Sequence, residues 1–489
     1  MQKWVLRMMM TPLVVLGLSG LAFAETQNVK VSGSIDAYSF YRTNFDLLDN
    51  NDAGVVPVTA AVPSQSHTGT VAQRSESDNF FMSITQVEVA ADMTDNVSTV
   101  INLINQRDWN AEPLDGTGVP SAANQGNNEF DILLDLAYVQ MKEIFYAPLT
   151  LTIGRQDLLF GRGFIIGWNP QDPQSLFQAD EFTQIQSFDA IRATLDFNPW
   201  TIDFVYSKLD ENSTNAENDR DLYITNVNYK FAEYNAVAEG YYVGEVDKGT
   251  LSTAGTDGTN NSAGTKDNDT HTLGGRVQFD PISQITLGGE LAYQFGDYRA
   301  GKAATAAFPP ARDRDAWGAD LFGEYRWDNT WKPMLGLQYV YLDGETDLSA
   351  ASTQSYSSWN GSFRGPIYGW YHDYKEVYWA TSAPNDQAAG QNQQHISVYG
   401  TLQPMEDLKL TANYWYFWAV DDMHTTTSNP NTSVLSDGIG HEIDLAAIYS
   451  YTEDVTFTFM ADWFIPGDLY SSPNDATATQ LVSEVKVVF

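Results

Sequence analysis

The chain has no cysteine. Disulfide staples, thiolate metal sites and cysteine nucleophiles are therefore excluded, and the absence suits an oxidising compartment where stray thiols would react. Basic residues are scarce: 26 Lys and Arg stand against 63 Asp and Glu, a formal net charge of −37. Phosphate binding needs clustered Lys and Arg, so a nucleic-acid partner is excluded as well. Beyond residue 24 no apolar run approaches the ~20 residues that a membrane helix requires. Histidine is sparse, with six residues in 489. Only His441 stands in a compact cluster, beside Glu442 and Asp444, and that cluster belongs to a strand-like alternation. No hydrolase constellation, cofactor motif or metal-ligand spacing emerges, and the chain reads as a non-enzyme.

What is present begins with an export signal. Lys3 and Arg7 give a basic start, an apolar stretch follows from Met8 to about Leu21, and Ala22-Phe23-Ala24 supplies a small-x-small cleavage pattern. Residues 1–24 are expected to be a signal peptide and residues 25–489 a single domain. Losing Lys3 and Arg7 leaves the remainder more acidic still.

That remainder alternates in polarity. About 18 segments show period-2 patterning, starting near Val29, Phe80, Val97, Asp131, Leu149, Ser187, Trp200, Arg220, Tyr234, Thr270, Gln284, Asp315, Trp331, Gln394, Leu408, Gly438, Val455 and Thr477. Tight connections such as Asn198-Pro199, Asp280-Pro281-Ile282-Ser283 and Thr452-Glu453-Asp454 carry turn chemistry. They alternate with long polar connections such as 42–77, 247–269 and 345–392. Strict alternation of short and long connections is the pattern of a transmembrane antiparallel β-barrel with short periplasmic turns and long external loops. Aromatic residues make up 13% of the chain, and Phe145, Tyr146, Phe197, Trp200, Phe231, Tyr234, Trp327 and Trp331 flank the tight turns as an interfacial girdle would. An even strand number returns the chain to its starting side. The last segment, Leu481 to Phe489, alternates and ends on an aromatic residue, as the closing strand of bacterial outer-membrane proteins does.

Alternation also assigns faces. Trp200, Ile202, Phe204 and Tyr206 share one face with Asp203 on the other; Ile285, Leu287, Leu291, Tyr293 and Phe295 share one face with Glu290 on the other. A charged residue at mid-depth on the lipid side costs ~2–4 kcal/mol for Arg or Lys. The pore-lining set expected on this basis is Arg155, Asp157, Arg192, Asp203, Arg276, Glu290, Asp320, Glu324, Arg326, Lys409, Glu442 and Asp444, with Asp462 inward by the same logic. The segment from Leu149 to Phe160 breaks phase, because Leu158 and Phe160 fall on the opposite parity to Leu149, Leu151 and Ile153. A β-bulge at Gly154 is the expected remedy, and it would turn Arg155 and Asp157 inward.

Four stretches, in order along the chain, resemble the outer-membrane alginate export family and its porin-like relatives. They are Ala90-Ala91-Asp92-Met93-Thr94-Asp95-Asn96-Val97 with Gln106-Arg107-Asp108-Trp109; Gly154-Arg155-Gln156-Asp157-Leu158 with Gly161-Arg162-Gly163, leading to Ser187-Phe188-Asp189-Ala190-Ile191-Arg192; Tyr368-Gly369-Trp370-Tyr371-His372; and Gly440-His441-Glu442-Ile443-Asp444-Leu445, leading to Phe464-Ile465-Pro466-Gly467-Asp468. The resemblance implies an eighteen-stranded export or uptake channel. It also implies an Arg-rich pore, with Arg155 and Arg192 at matching positions, and a long periplasmic turn that plugs the barrel. Here the matching turn, Thr452-Glu453-Asp454, is too short to plug anything, and the inward positions hold more acids than bases.

The expectation is an outer-membrane channel in contact with lipid, passing a small hydrophilic solute such as a saccharide through a water-filled, charge-lined lumen. Two aromatic loops, 160–182 and 345–392, are candidates to fold over or into the mouth. The alternatives are a polysaccharide exporter proper, a structural or adhesive barrel whose acidic loops, such as 210–221, recruit Ca²⁺, and an outer-membrane hydrolase.

Overall fold

A computed structural model describes residues 28–44, 47, 77–109, 132–167, 184–211, 219–247, 268–298, 312–345, 354–361, 363, 391–424, 435–470 and 475–489. The expected signal peptide, Trp168 and the aromatic stretch from Tyr368 to Trp379 lie outside the described residues, as does most of the acidic 210–221 run.

Eighteen strands follow one another: β1 Asn28–Thr43, β2 Ser77–Thr94, β3 Val97–Asp108, β4 Leu133–Met141, β5 Leu149–Gln156, β6 Phe188–Asp196, β7 Trp200–Asp210, β8 Arg220–Lys230, β9 Val237–Asp247, β10 Asp269–Ile282, β11 Ile285–Tyr298, β12 Arg312–Arg326, β13 Met334–Leu342, β14 Gln393–Met405, β15 Leu408–His424, β16 Leu435–Ser450, β17 Val455–Pro466 and β18 Ala478–Val488. Each pairs antiparallel with its chain neighbours, and β1 also pairs with β18, from Ser34↔Val488 to Thr43↔Thr479, closing the sheet. Lipid offers no partner for an unpaired backbone group, so closure removes the two edges that an open sheet would expose. The seam is tight at Gly33. Its amide donates to Phe489 O at 2.9 Å, and a Cβ there would lie 2.8 Å from the Phe489 ring and collide with Gln86 O.

The strands form because apolar and polar residues alternate with the pleat. Along β12, Arg312, Arg314, Ala316, Gly318 and Asp320 are covered, whereas Asp313, Asp315, Trp317 and Leu321 are exposed. Exposure here means contact with the membrane across the apolar band. Trp200, Phe231, Trp327 and Trp331 mark the band's edge at the tight turns, and Tyr206, Tyr223, Trp317 and Tyr416 mark it at the far side. From Trp327 back to Trp317, at ~3.3 Å per residue and ~40° tilt, is about 25 Å, the height of such a band. Inside, among the described residues, apolar packing gathers in the external half, where Phe188, Leu222, Leu342, Phe417 and Phe464 close around side chains from the loops. A second cluster joins Phe40, Met82, Ile84 and Ile104 to Ile185.

The phase break after Ile153 has a different origin from the expected bulge. Gly154 adopts φ +123° yet keeps its place in both ladders, opposite Tyr138 and Ala190, with no register shift. Arg155 therefore keeps the outward parity of Ile153. It donates to Leu134 O at 3.1 Å and pairs with Asp189, also outward, at 3.3 Å. Asp157 is exposed just beyond the strand end. Leu158 is apolar because the chain has by then left the wall and turned inward, where Leu158 is buried. The outward placement of Arg155 is tolerable because it sits above Ile191 and Tyr206, at the external margin, where charge costs less than at mid-depth.

Replacing the outward Leu291, 58% exposed near the middle of β11, with Arg is expected to destabilise the barrel by ~2–4 kcal/mol. The urea midpoint of vesicle-inserted protein measures this; an unchanged midpoint would reverse the facing given to β11.

Candidate functional site

The inward wall carries charges that satisfy one another laterally. Arg192 on β6 places Nε 2.8 Å from Asp203 Oδ1 on β7. Arg276 on β10 reaches Glu239 on β9 at 3.1 Å. Glu290 and Asp320 are register partners on β11 and β12. Tyr241 OH donates to Glu290 at 2.6 Å, and Gln338 Nε2 donates to Asp320 at 2.8 Å. Nearer the tight turns, Glu324 accepts from Tyr399 OH at 3.0 Å and pairs with Arg326, which donates to Thr286 at 2.7 Å. Lys409 is exposed beside the periplasmic turn. On the far wall Glu442 is buried, Asp444 accepts from Trp415 Nε1 at 2.8 Å, and Asp444 stands in register with Asp462. Of the pore-lining set read from the sequence, only Arg155 and Asp157 fall off the inward face.

Two loop segments fold into this space. Residues 157–167 leave β5 and close a turn on themselves, with Gly163 N donating to Phe160 O at 2.9 Å and Phe160 N to Ile166 O at 3.1 Å. Leu158, Phe164 and Ile166 are each 1% exposed, so the turn is packed rather than solvated. Gly161 has φ +60°, a region that favours glycine, and a Cβ there would lie 3.1 Å from Arg276 Nε and 3.3 Å from Glu239 Oε2. The segment has thus crossed from β5 to the β9–β10 wall. Arg162 goes further, to Asp320 and Phe322 on β12.

The second segment, around 354–363, enters from the loop after β13. Arg312 and Arg314 hold it by donating to Ser355 O at 2.6 Å and Ser358 O at 3.0 Å. Tyr356 stacks on Tyr298 at 3.6 Å. The backbone carbonyl of Asp343, at the external end of β13, anchors it by accepting from Trp359 N at 3.0 Å. Burial pushes the Asp343 carboxyl above the usual carboxylate range, and donors at Trp317 N, Tyr341 OH and Gly344 N pull it partly back. The two segments meet where Phe164 packs on Trp359 at 5.6 Å and Gly167 N donates to Phe363 O at 2.8 Å. The return limb of the first loop leans on β2 and β3, with Gln184 bonded to Gln86 and Gln106.

The arrangement is a narrowed lumen: apolar loop packing on the external side, paired charges around the crossing, and an acid-rich wall opposite. Among the described residues no group of three or more His, Cys, Asp or Glu is placed to hold a metal ion. The sequence points to the two aromatic loops that supply Phe164, Trp359 and Phe363, but the pore-lining set read from it does not include Arg162, Glu239, Arg312 or Arg314. The alternation Arg312-Asp313-Arg314-Asp315, in phase with Asp320, was a usable signal for two of them.

Trp359→Ala removes the ring between the two segments, a loss of ~3–5 kcal/mol of local packing. Trypsin is then expected to cut at Arg162 in vesicle-inserted protein that is resistant when wild type. Resistance retained in the variant would mean that the segments hold independently of their contact.

Residues 59–484 match the alginate export family. Among solved structures the fold is similar to OpdK of Pseudomonas aeruginosa, crystallised with vanillate (11% identity, 95% of this chain and 100% of that chain covered, TM-score 0.51). It is also similar to OccK9 (OpdG) of Pseudomonas aeruginosa (11%, 95% and 99%, TM-score 0.51) and to OccAB1 of Acinetobacter baumannii (10%, 95% and 98%, TM-score 0.52). No curated protein matches the chain. With a closed eighteen-stranded barrel and a family match over most of its length, the chain is a channel-type protein of the Gram-negative outer membrane and belongs to the alginate export family.

Proposed function

We propose that the barrel is a diffusion channel for small hydrophilic solutes, and that it admits cations and neutral solutes more readily than anions. The observation that carries this reading is the crossing of the lumen by the 157–167 segment. The segment rests on the β9–β12 wall, and its return limb rests on β2–β3, so among the described residues the wall facing the crossing is that of β14–β18 and β1. The inward charges there are mainly acidic: Glu442, Asp444, Asp462, Glu484 and Asp36, against Lys486, Lys409 and Arg42. Lys486 is already engaged by Asp36 at 3.0 Å. A negative field in a low-dielectric passage concentrates cations and repels anions.

The exporter reading is favoured by the family. Against it, a polyuronate chain would meet this acidic wall and a lumen crossed by two loop segments, and the turn between β16 and β17 is too short to act as a periplasmic plug. The channel-type neighbours and the absence of a hydrolase constellation weigh against an enzyme. Delivery to the membrane is assigned to residues 1–24, cleaved before Glu25; the amino terminus of the membrane-inserted protein checks that assignment, and an intact Met1 would overturn it.

Planar bilayers with a KCl gradient test the function. Steady conductance with a reversal potential on the cation-selective side is expected, and Asp444→Asn with Asp462→Asn is expected to move it toward zero. Anion selectivity in the wild type would overturn the preference, and a non-conducting barrel would overturn the channel reading.

A further inference from the structure

We infer that Arg162 is a positioning residue that pins the 157–167 segment across the lumen, and that its contact with Asp320 and Phe322 sets the conducting cross-section. The inference rests on the channel reading and goes beyond it, because it assigns the pore's width to one contact between a loop and the far wall.

The geometry is specific. Arg162 Nε lies 3.7 Å from Asp320 Oδ2, and its guanidinium carbon lies 3.7 Å above the Phe322 ring centroid. Asp320 and Phe322 are both inward on β12, two residues apart, so one guanidinium meets the carboxylate with its edge and the ring with its face. Lysine offers no such planar group. Among the described residues, Arg162 carries the polar side-chain contacts of the segment with β12. Gly161 passes Arg276 and Glu239 without a side chain, and the Phe164–Trp359 contact and the Gly167–Phe363 bond tie the segment to the other loop. Leu158, Phe164 and Ile166 share an apolar cluster with Tyr241, Ala292 and Ala316 of the wall, which is non-directional and does not fix the segment's place on β12.

The wall's own cation at this point, Arg276, is committed to β9. Asp320 is 1% exposed and stands in register with Glu290, 4% exposed. Two directly opposed carboxylates repel. Arg276, the register partner of Glu290 on its other side, is already held by Glu239. Gln338 supplies Asp320 with a neutral donor only. The charge that balances Asp320 comes from the loop, so wall electrostatics and loop position depend on each other. A loop that swings away strands a buried carboxylate beside another, which holds the crossing in place.

Single-channel recording tests this with Arg162→Gln, Arg162→Lys, Asp320→Asn, Phe322→Leu and the exchange Arg162→Asp with Asp320→Arg. Asp320→Asn keeps shape and the Gln338 bond, and Phe322→Leu removes no charge, so at least these two are expected to assemble, as judged by heat-modifiable mobility. The expected result is a conductance rise of about twofold or more, with added open-channel noise, in Arg162→Gln and Asp320→Asn. A smaller rise is expected for Phe322→Leu and for Arg162→Lys, with partial return toward wild type in the exchange. Lys208→Ala breaks an outward pair with Asp219 and Asp221 and is expected to leave conductance unchanged. Wild-type conductance and noise in Asp320→Asn and Arg162→Gln would overturn the inference while leaving the channel reading intact; a wild type that does not conduct would remove the reading beneath it.

Discussion

Backbone amides and carbonyls in hydrocarbon have no water to bond, and the rest of this structure depends on that fact. It forces every strand to find two neighbours, and therefore forces β1 back onto β18. Closure in turn fixes an inside and an outside. Each pleated strand then has one face in lipid and one in the lumen, and the alternation along β7, β11 or β12 is the sequence's answer to that division. The aromatic residues at the tight turns and at the far margin of the band follow from the same division, since an amphipathic ring is stable where lipid meets water.

The inside then poses its own problem. A lumen lined with carboxylates and guanidinium groups is stable only if the charges are solvated or paired. The pairs run between adjacent strands: Arg192 with Asp203, Arg276 with Glu239, Lys486 with Asp36. Neighbouring strands can provide such pairs because register places the residues directly opposite, as for Arg276 with Glu239 and Asp36 with Lys486, or on the adjacent diagonal, as for Arg192 with Asp203. Loops supply what register cannot. Arg162 brings a cation to Asp320, and Arg312 and Arg314 receive backbone carbonyls from the segment at 354–358. The barrel's polar interior and its narrowing are thus one structure, because the wall charges and the loops complete each other.

The strand pattern was legible because its causes are local. Val97, Leu149, Trp200, Arg220, Leu408 and Val455 begin strands where alternation begins, and turn residues mark the short connections. Boundaries drifted where alternation and pairing part company: β9 starts at Val237 rather than near Tyr234, because Tyr234 and Asn235 take positive φ in the turn. The 149–160 segment misled for an instructive reason. Two apolar residues on the wrong parity look the same in sequence whether a strand bulges or the chain leaves the wall, and only the unbroken ladders through Gly154 separate the two.

By itself the sequence determined the class of molecule: a thiol-free, acidic chain of about eighteen alternating segments, the last of them aromatic-ended and suited to close a barrel. Period-2 patterning, turn chemistry and composition are properties of residues and their near neighbours, and they survive without knowledge of distant contacts. The tertiary structure decided the shape of the passage. Arg162 and Asp320 belong to separate hairpins far apart in the chain, and nothing near either residue announces the other. They meet only because closure brings the β12 wall opposite the end of β5, at a distance the inward loop can span.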